Sequence, residues 1–153
     1  MKRAVLRPFG MGMILAVGLL AWGAGHPDSA WSGDACSLRT LKGTYVGACH
    51  GVAGNKQNHF AVACKDQFHG DGTVSGVCTS SDKDNVFRHV PYTGTYTVRP
   101  DCTGTITTTD ENGVVTHADL FFPPDGSFWS LIFTDPGVVD AAVEQRASRD
   151  DRL

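Results

Sequence analysis

The chain has 153 residues, with 13 Lys plus Arg against 16 Asp plus Glu and 41% hydrophobic residues. Once a leader is set aside, that length suits one domain with a modest core. The mild acidic balance and the lack of a basic run beyond the N-terminus speak against a nucleic-acid or anionic-membrane surface.

Residues 1–30 read as a signal segment, in which Lys2, Arg3 and Arg7 precede a nearly apolar stretch from Met11 to Ala24. The stretch is shorter than the ~20 residues a spanning helix needs, so no membrane insertion is expected after processing. Cleavage at Ala24, Ala30 or Ala35 is compatible with the sequence, an uncleaved anchor being the alternative. A cut after Ala30 leaves ten basic and fifteen acidic residues. Ala35-Cys36 superficially resembles a lipidation site, but Cys36 stands too far beyond the apolar run. The expected address is exported, periplasmic or secreted. There, Cys36, Cys49, Cys64, Cys78 and Cys102 point to disulfides with one thiol left over.

Residues 31–42 form a Gly-, Ser- and Asp-bearing lead-in that ends in at most one helical turn. From Gly43 onward the apolar period is two. Strands are predicted at 43–50, 58–67, 73–80, 86–98, 103–110, 114–122, 127–134 and 138–146, and residues 148–153 read as a tail. Turn signals separate them, among them Gly70-Asp71-Gly72, Pro100-Asp101, Asn112-Gly113 and Asp135-Pro136-Gly137. Many short strands with tight connections give an all-β chain, an up-and-down barrel or a sandwich. Eight strands close a barrel wide enough for one small ligand.

The turn in Phe68-His69-Gly70-Asp71-Gly72-Thr73-Val74 pairs Phe68 with Val74 and so sets Cys64 opposite Cys78. Centring the preceding turn between Lys56 and Gln57 pairs Tyr45 with Phe68, Gly47 with Asp66 and Cys49 with Cys64. Phe60, Val62, Cys64, Asp66 and Phe68 then face inward, and Tyr45, Gly47, Cys49, Val74, Gly76 and Cys78 follow. In the last strand the apolar Val139, Ala141 and Val143 are expected inside, with Asp140, Glu144 and Arg146 in water. The strand around Phe128–Phe133 is apolar on both faces, which suggests a homo-oligomer contact through it.

The stretch Pro91–Thr107 (PYTGTYTVRPDCTGTIT), preceded by LKGTY and FHGDGTVSG, resembles a group of small exported bacterial proteins. Their barrels are similar to that of allene oxide cyclase and to the wider lipocalin-like (calycin) group. The resemblance covers about Leu41 to Arg146. It implies a single eight-stranded antiparallel up-and-down barrel over 43–147, preceded by the signal segment. It implies no activity, because some such barrels are cyclases or isomerases and others only bind ligands.

Three residue groups are candidates for chemistry. The Cys49, Cys64 and Cys78 trio is read as one disulfide, 64–78 or 49–64, plus one free thiol, while Cys36–Cys102 makes a second bridge to the lead-in. The spacings lack the close pairs of a zinc site, and no metal or cofactor is expected. Asp66 is the candidate catalytic residue. A carboxyl in an apolar cavity suits a general acid or base, the plainer alternative being a cap on the following turn. Tyr45, Phe68, Tyr92 and Tyr96 join Asp66 as candidate ligand-binding residues, with core filling as the competing role of the aromatics. The six histidines read as exposed. The preferred function is binding of a small, largely apolar ligand, or a structural role. The alternatives are a cyclase or isomerase using Asp66 and the tyrosines, and a cell-envelope interaction module.

Overall fold

The computed structural model describes residues 35–54 and 58–149, so the expected signal segment lies outside the described residues. Eight strands follow a single 3-10 turn at Leu38–Leu41: β1 Gly43–Ala53, β2 Asn58–Phe68, β3 Thr73–Asp82, β4 Val86–Val98, β5 Thr103–Asp110, β6 Val115–Phe121, β7 Phe128–Phe133 and β8 Ala141–Ser148. Each pairs antiparallel with the next, and β8 pairs back with β1, which closes an up-and-down barrel.

One end of the barrel is built from a repeated turn. Asp71-Gly72-Thr73, Asp101-Cys102-Thr103 and Asp125-Gly126-Ser127 each put an aspartate two residues ahead of a hydroxyl residue. In every case the aspartate Oδ1 accepts the backbone N–H of that residue, at 2.8, 3.1 and 2.9 Å. The middle residue is left-handed, with φ of +97°, +63° and +59°. Glycine takes that conformation without steric cost, whereas Cys102 is held in it by its bridge to Cys36.

That bridge and the 3-10 turn seal this end. Leu41 is fully buried beneath the turn. The Tyr96 hydroxyl donates to Leu38 O (2.9 Å) and accepts from Gly70 N (3.1 Å). Arg146 donates to Asp125 O at 2.8 Å, to Thr40 O and to the Tyr45 hydroxyl at 3.0 Å, while its guanidinium lies 5.3 Å over the Tyr45 ring. The seal therefore links the lead-in, β8 and three hairpin turns. Losing the Cys36–Cys102 bridge, which spans 66 residues, should cost about 4 kcal/mol of stability. Urea unfolding of Cys36→Ser/Cys102→Ser checks this, and a loss under about 1 kcal/mol would contradict the seal.

Above the seal, Tyr45, Phe68, Tyr96 and Trp129 pack edge to face with ring centroids 4.9–6.4 Å apart. All four are buried, with Leu120, Val74 and Ile106 around them. This half of the barrel is filled by side chains. Outside the lumen, an outer groove runs along Ser75, Thr93 and Thr107.

Two sequence expectations are corrected here. Phe68 pairs with Val74 and Cys64 with Cys78, but β1 is shifted against β2 by two residues: Gly43 faces Phe68, Tyr45 faces Asp66 and Gly47 faces Cys64. A two-residue shift preserves which face is inside, so the inward set of β1 and β2 stands. The last strand differs by one parity. Asp140, Ala142 and Glu144 are buried inside, and Val139 and Val143 are more than half exposed. The apolar pattern misleads because the outer wall there is itself apolar, with Val46, Val143, Ile132 and Phe121 each about half exposed. On β7 the buried Trp129 and Leu131 alternate with outward Phe128 and Ile132, which orients the strand that the sequence left ambiguous.

Candidate functional site

Inverting β8 changes the chemistry of the lumen. Asp66 is not the lone inward carboxyl: it meets Glu144, and Asp140 lies on the same face nearer the open end. All three are at most 5% exposed. Glycines on the intervening strands make room for them. A Cβ on Gly47 would stand 2.4 Å from Glu144 Cγ, and one on Gly51 would stand 2.5 Å from Asp140 Cβ. A Cβ on Gly76 would stand 2.5 Å from the Tyr92 ring.

Two rows of paired residues then converge on β2. Across β8, β1 and β2 run Glu144, Gly47 and Cys64, and across β4, β3 and β2 run Tyr92, Gly76 and Asp66. Each glycine removes the side chain that would separate its neighbours, so Glu144 and Tyr92 reach Asp66 from opposite sides. Burial pushes the Asp66 carboxyl up to about 6, opposed by the neighbouring Tyr92 hydroxyl and Glu144 carboxyl. Burial likewise pushes Glu144 up to about 9, and the neighbouring Asp66 charge adds to the rise. No cationic group among the described residues acts on either acid. At neutral pH the pair therefore shares one proton and carries one negative charge.

Asp66 Oδ1, Glu144 Oε2 and Asp140 Oδ1 are buried without hydrogen-bond partners. An unpaired buried oxygen costs about 1–3 kcal/mol, so three along the inner wall of the open half mark a place that a ligand or waters would complete. The Cys49 thiol donates to Asp140 Oδ2 at 3.2 Å. Burial, then Asp140, pushes that thiol up to about 12, which leaves it a poor nucleophile. Beside Asp66 lies the Cys64–Cys78 disulfide. The layer is reached from the end opposite the seal, where inward Phe60, Val62, Val90 and Phe133 remain partly exposed. The bulge in β4 sits at this mouth, with His89 in the left-handed region at φ +55°.

The sequence-predicted site residues thus separate into two groups. Asp66 and Tyr92 come together in the acid layer. Tyr45, Phe68 and Tyr96 sit below it in the packed half, where the Tyr45 and Tyr96 hydroxyls are occupied by backbone carbonyls. Cys36–Cys102 and Cys64–Cys78 are the two disulfides, and Cys49 is a free thiol. The aspartate capping the turn after β2 is Asp71, which leaves Asp66 free for the lumen. Sequence reasoning missed Glu144 and Asp140. The available signal was the inward glycines Gly47 and Gly51, each of which needs a neighbour to fill its place.

No family model matches the chain, and no curated protein does. Among solved structures it is similar to a de novo designed fluorescence-activating β-barrel at 14% identity, over 71% of this chain and 95% of that one (TM-score 0.47). A redesigned β-barrel at 16% identity covers 72% and 94% (TM-score 0.49), and a redesigned barrel bound to DFHBI at 16% identity covers 72% and 98% (TM-score 0.48). At this distance the likeness extends to the eight-stranded antiparallel barrel alone.

Proposed function

We propose that this is an exported binding barrel whose open mouth takes a small, largely apolar molecule with a hydrogen-bond-donating or cationic head. The observation that carries it is the buried Asp66–Glu144 pair, with unpartnered oxygens and no cationic partner among the described residues, beneath a partly exposed apolar ring. A buried negative charge without a cationic partner is costly, and an ammonium or hydroxyl head would relieve that cost. The two disulfides support an oxidising, exported setting, and no described helix is long and apolar enough to cross a membrane. The allene oxide cyclase-like and lipocalin-like assignment rests on the Gly-Thr-Tyr and Asp-Cys-Thr-Gly-Thr motifs.

Calorimetric titration with octylamine, octanol and octanoate tests the head-group preference at constant apolar length. The amine should bind at least tenfold more tightly than the carboxylate, and Asp66→Asn should erase that difference. Equal binding of amine and carboxylate, or no binding of any of the three, would overturn the reading.

A second reading is favoured by the paired acids themselves. Two carboxyls pushed to different pKa values, with a tyrosine hydroxyl beside them, can take a proton from one carbon of an apolar substrate and return it to another. In such an isomerase or cyclase, Asp66 is the base and Glu144 the acid. Asp66→Asn would then abolish turnover while substrate affinity remained.

A further inference from the structure

We propose that Cys64, Cys78, Asp66 and Glu144 form a latent site for a borderline-soft divalent cation of the zinc type, closed while the Cys64–Cys78 disulfide is intact and opened by its reduction. Both sulfurs and one Asp66 carboxylate oxygen lie within 4.8 Å of one another. Tetrahedral zinc with Zn–S near 2.3 Å and Zn–O near 2.1 Å needs donor separations of about 3.5–3.8 Å. The intact bond holds the two sulfurs closer than that, so the trio reaches that range only once they part. Glu144 stands outside that set, but it pairs with Gly47, Gly47 pairs with Cys64, and the bare glycine leaves its carboxylate a path to the fourth position. Asp66 Oδ1 and Glu144 Oε2 are both buried and unpartnered, so each has a lone pair free for a metal. Cys64 and Cys78 are each partly exposed residues, and they stand below the apolar ring of the mouth, the side from which a reductant and an ion would enter.

The chemistry balances with an external dithiol as reductant. It gives two electrons and two protons to the Cys64–Cys78 bond and closes to its own disulfide. The cation then displaces the two thiol protons and the proton of the carboxyl pair into solvent. Cys49 is outside the set: it pairs across from Val62 and its thiol is bound to Asp140.

Cobalt(II) is the probe, added anaerobically to protein reduced with a water-soluble phosphine and then freed of it, so that no added thiol competes for the metal. Expected are one cobalt per chain, tetrahedral visible bands and thiolate-to-cobalt charge transfer, all absent from the oxidised protein. The signal should vanish in Cys64→Ser/Cys78→Ser, persist in Cys49→Ser, and weaken at least tenfold in Asp66→Asn. A reduced protein without charge transfer, or a signal that survives Cys64→Ser/Cys78→Ser, overturns the proposal. Should full reduction unfold the barrel, circular dichroism supplies the second readout. Cobalt must then restore the strand spectrum of wild type and not of Cys64→Ser/Cys78→Ser, and failure to do so also overturns it.

Discussion

Replacing Trp129 by serine is expected to lower the unfolding free energy by about 3–5 kcal/mol, a large share of what a domain of this size possesses. Trp129 is 2% exposed and packs edge to face against both Tyr45 and Phe68, with ring centroids 6.4 and 5.7 Å away. Serine would leave a void between the aromatic cluster and β8, where rings anchored by backbone hydrogen bonds cannot collapse to fill it. Three residues along the same strand, Ile132 is 51% exposed. Ile132→Lys should stay within about 0.5 kcal/mol of wild type. Urea unfolding of the two variants side by side decides the orientation of β7, and comparable losses would show that the strand is placed wrongly.

Thermal stability should peak near pH 4–5 and fall as the pH rises toward 9. Asp66 and Glu144 are pushed up to about 6 and about 9 by burial, whereas in the unfolded chain they ionise near 3.9 and 4.3. Between those limits the folded state holds a proton that the unfolded state has released. Each such proton lowers stability as the pH rises, by roughly 1 kcal/mol per pH unit. Cys49, pushed up to about 12, extends the decline above the ordinary thiol range. The turn aspartates act in the other direction. Hydrogen bonds from Thr73, Thr103 and Ser127 hold Asp71, Asp101 and Asp125 below the usual carboxylate range, so their contribution is lost as the pH falls through their folded values. Melting curves from pH 4 to 9 test this, with Glu144→Gln flattening the alkaline limb. A melting temperature that rises from pH 5 to 8, or a slope unchanged by Glu144→Gln, would show that the pair is not buried as described.

The legible parts of the chain were those decided by neighbours in sequence. Alternation and turn residues located the strands, since side-chain direction within a strand follows from the pleat alone. The short Phe68–Val74 turn fixed β2 against β3, and with it Cys64 opposite Cys78. The turn between β1 and β2 allows more than one centring, and a centre moved by one residue shifts every partner by two, which is the difference between the expected and the observed pairing. Asp66 was visible as a charged residue on an apolar face. Glu144 was not, because in β8 the valines and the acids occupy opposite parities and the valines have the stronger apolar signal.

The sequence by itself determined an all-β chain with cysteine-rich strands and an inward Asp66. The tertiary structure decided what Asp66 meets. Barrel closure brings β8 against β1, and the bare Cα positions of Gly47 and Gly51 admit Glu144 and Asp140 where an alternating apolar pattern predicts valine. Arg146 reinforces that choice, since only the same parity brings its guanidinium to Thr40, Asp125 and Tyr45 at the sealed end. Which face of the closing strand turns inward is settled by the room and the partners on the strand it closes against, and that strand lies about a hundred residues earlier in the chain.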